Sequence, residues 1–302
     1  MEVARVNRIT IPAHLLLKSE GNVGRVHSVF RQGLNVLTGE RFIHIQCERE
    51  LSSPFSLALS QACSIPFREG VREGDEVVKS DGQLRIGLNE WILYAPEEFY
   101  DPCVRPAFGI SDSKLGEISK FLIRKIEFFR KKIPPVNFLL ETEAIIKSET
   151  EGLLGSLTDA NLSSNLLREY TGRLIGLGPG LTPMGDDFII GVMGALARCR
   201  THCNRIEQFF NSLREAIAGH LKQTVAISCE FLHHATRGCF SEKMKNLLYL
   251  FSHEKLEEEK LQRSIRSALD FGSTSGMGNL LGIYYGLRIC SALYQNGEEG
   301  NG

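Results

Sequence analysis

The sequence predicts an α+β fold. A small β-sheet or barrel-like region occupies residues 1–110 and a mainly helical domain occupies 111–295, with two glycine-rich helix N-termini forming one site; 296–302 is a flexible tail. Three observations predict this. The first hundred residues break into short β-favouring runs separated by Gly, Asp, Asn, Ser and Pro. After Ser113, apolar residues recur at helical spacing. Glycine-dense loops lead into two of the resulting helices.

Strands are expected at 34–38, 41–45, 83–86 and 91–94, with Thr38-Gly39-Glu40 as a hairpin turn between the first two. Pro96, Pro102 and Pro106 mark a connecting segment, after which the pattern changes to helical period. Leu115, Ile118, Phe121, Leu122, Ile126 and Phe129 then line one face of a helix that Pro134-Pro135 ends. Further helices are expected near 141–155, 159–172, 183–200, 204–219, 222–237, 241–252, 256–270 and 276–294, with the charged run from Glu254 to Lys260 as a solvated helix start.

The chain of 302 residues has room for one large or two moderate domains. With 42% hydrophobic residues and a net charge of -1, it offers no support for nucleic acid as a partner. No apolar run approaches a membrane span, and Met1-Glu2-Val3-Ala4-Arg5 has no signal-peptide pattern, so a cytoplasmic protein without a membrane partner is expected. The eight cysteines include no CxxC pair. Cys199, His202 and Cys203 lack a second ligand pair, so free thiols are expected rather than a metal site.

The chemistry concentrates in Gly176-Leu177-Gly178-Pro179-Gly180-Leu181-Thr182-Pro183-Met184-Gly185-Asp186-Asp187. Its glycines let successive N–H groups turn toward an anion such as phosphate. Thr182 reads as an N-cap and Pro183 as the first helical residue, which sets a helix N-terminus beside the loop. Asp186 and Asp187 either complement the helix dipole or act on a ligand, and the pattern leaves both open.

Gly272-Ser273-Thr274-Ser275-Gly276-Met277-Gly278 repeats these features, with Thr274 or Ser275 as the cap. The helix after it carries Gly278, Gly282 and Gly286, and the helix after the first loop carries Gly191, Gly194 and Ala195. Interior glycines cost about 1 kcal/mol each relative to alanine, so such stripes call for close packing. The two helices are therefore expected to pack in parallel with both loops at one end; the alternative packs each stripe against bulky residues. Near the N-terminus, Arg25, His27, Ser28 and Arg31 offer forked donors, a proton carrier and a hydroxyl, suited to a carboxylate or phosphate unless they are ordinary strand surface. Thr224, Ser228, Glu230, His233, His234 and Arg237 lie on an unusually polar helix, but adjacent histidines diverge by about 100° and make a poor metal pair. There is no GxSxG elbow, no Walker loop and no GxGxxG after a strand.

The first glycine loop with Asp186-Asp187, then Thr224-Val225-Ala226-Ile227-Ser228, then Thr274-Ser275-Gly276, resembles the family labelled DUF2877, which includes the AllH subunit of oxamate carbamoyltransferase. The segment from Gly24 to Arg31 and Asn35 resembles its N-terminal region. The resemblance implies a subunit of a multi-subunit enzyme of anaerobic allantoin degradation and purine catabolism. That enzyme converts oxalurate and phosphate into oxamate and carbamoyl phosphate, all small anions. On this basis Gly178, Gly180, Thr182, Thr274, Ser275 and Gly276 bind phosphate or the developing oxyanion. Asp186 or Asp187 receives amide protons or holds a magnesium ion, Arg25 and Arg31 neutralise a carboxylate beside Ser28, and His27 moves a proton. Two positions depart from that subunit: Ser273 stands in place of a histidine, and Met184-Gly185 in place of Ser-His, so no role of those histidines carries over. A non-catalytic anion-binding or scaffold subunit, or an enzyme acting on another small carbamoyl or carboxylate substrate, is the alternative.

Overall fold

A computed structural model of the chain describes residues 4–60, 70–88, 90–107, 110–131, 137–157, 164–252, 257–269 and 275–298. The chain forms two compact units, Met1–Cys103 with Phe240–Lys243, and Val104–Cys239 with Met244–Gly302.

The first unit contains strands β1 (Ala4–Thr10), β2 (Gly21–Phe30), β3 (Gly33–Thr38), β4 (Arg41–Gln46), β5 (Ser56–Leu59), β6 (Glu76–Ser80), β7 (Gln83–Ile86), β8 (Glu90–Leu93) and β9 (Glu98–Tyr100), and a short helix α1 (Ile11–Leu16). Neighbours run β5-β4-β3-β2-β6-β7-β8-β1, and antiparallel pairing of β1 with β5 closes this order into an eight-stranded barrel. β9 lies parallel to β1, with Thr10 opposite Tyr100. Val6, Ile9, Val26, Leu34, Val36, Ile43, Ile45, Leu57, Leu84 and Ile86 form the core. Each closed strand has satisfied neighbours on both sides, so the barrel leaves no aggregation-prone edge there. Gly39 turns the β3–β4 hairpin with φ 62, as its sequence predicts.

Several strands escape the sequence pattern. β5, Ser56-Leu57-Ala58-Leu59, is buried at every position and shows no alternation. In β1, Arg8 is buried because its guanidinium is forked onto Glu98 at 2.9 and 2.8 Å and onto Glu242 at 2.8 and 3.0 Å, partners far away in sequence.

The second unit is built from α2 (Asp112–Arg130), α3 (Asn137–Ser156), α4 (Ser164–Leu174), α5 (Met184–Cys199), α6 (Asn204–His220), α7 (Ala226–Ala235), α8 (Glu242–Tyr249, whose first two residues belong to the first unit), α9 (Glu258–Leu269) and α10 (Ser275–Glu298). α2 buries the predicted stripe, Leu115, Ile118, Phe121, Leu122 and Ile126, and starts where the Ser111 hydroxyl accepts the Lys114 N–H. No helix among the described residues is long and apolar enough to cross a membrane. The free-thiol expectation holds for Cys199, Cys203, Cys229 and Cys290, whereas Cys103 and Cys239 are disulfide-bonded.

At the centre, α5 is buried along its whole length and packs against α10. A Cβ built on Gly282 would lie 2.0 Å from the Phe188 carbonyl oxygen and 2.8 Å from the Gly191 Cα. One on Gly278 would lie 2.8 Å from the Asp187 Cβ, and one on Gly286 would lie 2.7 Å from the Ala195 Cβ. Numbers rise together along both helices, so the two run parallel with their N-termini at one end. Gly194 departs from the expected stripe: it faces Met244 and Leu248 of α8, because it lies about 100° round the helix from Ala195.

Candidate functional site

The first glycine loop leaves α4 after Leu174 and enters α5 at Met184. Gly176, Gly178 and Gly180 have φ of 80, 101 and 115, the left-handed region that side chains disfavour. Pro179, Gly180 and Leu181 are exposed, so the tip of this loop is open to a ligand.

Thr182 does not cap the helix. Pro183 holds the N-cap position, and its carbonyl accepts the Asp186 and Asp187 N–H groups at 3.0 and 3.1 Å. The Thr182 hydroxyl is committed elsewhere, 2.7 Å from the Ser275 hydroxyl at the start of α10. This contact joins the N-termini of α5 and α10 through side chains. Ser275 and Gly276 are therefore beside the first loop, while Thr274 lies outside the described residues.

The two aspartates have different surroundings. Asp186 is fully buried and accepts three hydrogen bonds: from the Gly176 N–H at 2.7 Å, from the Ser228 hydroxyl at 2.6 Å, and from the Thr224 hydroxyl. Burial pushes its carboxyl up, and the Ser228, Thr224 and Gly176 donors pull it back. Asp186 thus clamps the base of the glycine loop to the start of α7. Asp187, 3% exposed, is pushed well above the ordinary carboxylate range, chiefly by burial and further by the charge of Asp186; hydrogen bonds from Ser275 and Thr182 oppose the rise. Its Oδ2 is buried with no hydrogen-bond partner among the described residues. Two neighbouring carboxyls thus meet different surroundings, three donors on Asp186 and an unpartnered oxygen on Asp187.

These surroundings do not suit magnesium. Both oxygens of Asp186 already accept N–H or O–H donors, whose hydrogens stand where a cation would sit, and Asp187 favours its neutral form. Among the described residues no group of three or more His, Cys, Asp or Glu is placed to hold a metal. Glu230 and His234 pair with each other at 3.0 Å in the interior of α7.

Thr224 and Ser228 belong to this site, a role that composition alone does not reveal. Thr224 reaches Asp186 from extended backbone just before α7 and Ser228 from its first turn, so no helical period marks the pair.

The N-terminal cluster lies in the first unit. Arg25 on β2 donates to Glu76 at 2.8 Å and to the Gly74 carbonyl at 3.0 Å, and its side chain is 62% exposed. His27 is exposed and packs edge-on to Phe42, at the irregularity in β2–β3 register between Val26 and Ser28. The Ser28 hydroxyl accepts from Asn35 at 3.0 Å, and the Asn35 carbonyl oxygen lies 2.7 Å from His44 Nδ1. Burial lowers His44 to about 4. Arg31 is exposed just beyond β2.

A family model described as oxamate carbamoyltransferase subunit AllH matches residues 174–287, which contain both glycine-faced helices. A second, described as the AllH family N-terminal domain, matches residues 7–95, the barrel. Comparison with curated proteins and with solved structures finds no match.

Proposed function

The chain belongs to the AllH family, and on that premise we propose that it supplies the phosphate cradle and the acid group of an oxamate carbamoyltransferase. The reaction is phosphorolysis of oxalurate to oxamate and carbamoyl phosphate, within allantoin breakdown. One observation carries the reading: Asp187, a buried carboxyl that favours its proton, stands where two helix N-termini meet.

Phosphate sits on the N–H groups of Gly178 and Gly180 and on the start of α10 at Ser275 and Gly276, where backbone donors and helix dipoles converge. A phosphate oxygen attacks the carbamoyl carbon of oxalurate, and the same donors stabilise the tetrahedral oxyanion; such preorganised donors are worth about 3–4 kcal/mol each. The bond from that carbon to the oxamate nitrogen then breaks. The nitrogen must leave protonated, and Asp187 is the proton source. Asp186 stays charged and keeps the loop in place. In the first unit, Arg25 and Arg31, both exposed, offer positive charge to a carboxylate, with His27 and Ser28 on the same strand as Arg25. No covalent enzyme intermediate is needed.

The test is assembly of this chain with its partner carbamoyltransferase subunits and assay of carbamoyl phosphate formed from oxalurate and phosphate. Omission of the chain, or Asp187→Asn within it, should remove activity. Undiminished activity without the chain would leave it a scaffold.

A further inference from the structure

We propose that α2, α3 and α10 of the second unit enclose a binding site for a small uncharged molecule that carries an N–H donor on an apolar ring. A cavity of about 400 Å³ lies among these helices, within the range of about 300–1,000 Å³ typical of small-molecule sites. Ile126 of α2, Ile146 of α3 and Leu281 of α10 give it apolar walls. Arg288, forked onto Glu151, lies over the rings of Tyr284 and Tyr285 at 5.8 and 5.4 Å, so that wall is fixed before a ligand arrives.

Glu143 supplies the polar contact. It lines the cavity, is 8% exposed, and is held through Oε2 by an ion pair with Arg130. Its Oε1 is buried with no hydrogen-bond partner among the described residues. Burial raises this carboxyl, and the charge and hydrogen bond of Arg130 pull it back. Buried acceptors in folded proteins are satisfied as a rule, so a bare carboxylate oxygen on a cavity wall calls for a donor from the occupant. Charge decides what kind of donor. Glu127 and Glu143 line the cavity with Lys147 and Arg130, and Glu151 is neutralised by Arg288. Acids and bases balance, so a bound cation would find no surplus of negative charge, whereas an uncharged N–H pairs Oε1 without upsetting the balance.

This cavity is separate from the glycine loops. Thr142 turns the other way from Glu143, its methyl 3.6 Å from where a Cβ on Gly178 would stand. Consecutive helical residues diverge by about 100°, so α3 presents one residue to the loop and the next to the cavity.

The experiment titrates indole, an uncharged ring with one N–H, into the full chain and reads its Kd by ligand-observed NMR. 1-Methylindole, which lacks that hydrogen, is the matched pair, and benzylamine is the cationic probe. Two variants accompany them, each checked by a thermal melt. In Glu143→Gln, Arg130 claims the amide oxygen, so an NH2 group rather than an acceptor faces the cavity. Ala144→Trp fills the cavity from its exposed rim and leaves the core intact. Indole should bind with a Kd below about 1 mM, and 1-methylindole, benzylamine and both variants should each lose about tenfold or more. Equal binding of indole and 1-methylindole would reduce the cavity to an apolar hollow and overturn the proposal, as would tighter binding of benzylamine. Indole binding unchanged in either variant that melts as a folded protein, or no indole binding at about 5 mM, would overturn it as well.

Discussion

Gly282→Ala tests whether the α5–α10 contact sets the site. The added methyl would lie 2.0 Å from the Phe188 carbonyl oxygen, where ordinary contact begins near 3.4 Å, and both obstacles, that oxygen and the Gly191 Cα, are backbone. No rotamer change relieves it, so the helices must part by more than about 1 Å along much of their contact. Overpacking of a core costs about 1–3 kcal/mol, and a backbone obstacle places this case at the upper end. Alanine returns about 1 kcal/mol of helix propensity, which leaves a net loss of about 2 kcal/mol. At about 2–4 °C per kcal/mol for a unit of this size, the melting temperature should fall by about 4–8 °C. Gly152→Ala is the control, because it lies on the exposed side of α3 with nothing within 4 Å of its Cβ, and it should raise the melting temperature. Differential scanning calorimetry on the two variants decides the matter. A Gly282→Ala protein that melts at or above wild type would refute the direct helix contact, and with it the joining of Thr182 to Ser275.

Other perturbations separate the roles of individual groups. Asp187 has a folded value above the ordinary carboxylate range, so the stability it confers is full below that range and is lost as pH rises through the folded value. Asp187→Asn should therefore melt higher than wild type at neutral pH while phosphorolysis falls, and an unchanged melting curve across pH would contradict the assignment. His44 runs the other way: its folded value of about 4 lies below the ordinary histidine value of 6.5, so its contribution is present above pH 6.5 and lost as pH falls toward 4. That shift corresponds to about 3 kcal/mol, and His44→Gln should flatten the acid limb of barrel unfolding followed by circular dichroism. Ser228→Ala deprives a buried carboxylate of one of its three donors and should cost about 1–3 kcal/mol in urea titration, with Thr224→Val similar. Arg8→Met leaves Glu242 without its forked partner and should cost about 2 kcal/mol in the first unit.

Legibility in the sequence followed the locality of the interactions. The α2 stripe, the β3–β4 hairpin with its turn at Gly39, and β7 show their period or their turn residue within a few positions. β5 does not, because a strand buried on both sides has no alternation. In the candidate site, Asp186, Asp187 and the glycines stand out as residue types at a helix start, whereas the N-cap expected at Thr182 was misplaced since its hydroxyl is claimed by Ser275, ninety-three positions on.

Sequence by itself determined the order of a β region and a helical region and the glycine stripes. Tertiary structure decided that β1 closes the barrel on β5, that the stripes at Gly191 and Gly282 meet, and that two neighbouring aspartates part company. The reason is physical. Adjacent residues on a helix point about 100° apart, so Asp186 turns to the hydroxyls of α7 and Asp187 to the start of α10, and only the fold supplies those partners. Burial then raises both carboxyls; the three donors on Asp186 pull it back, while the charge of Asp186 pushes Asp187 further up.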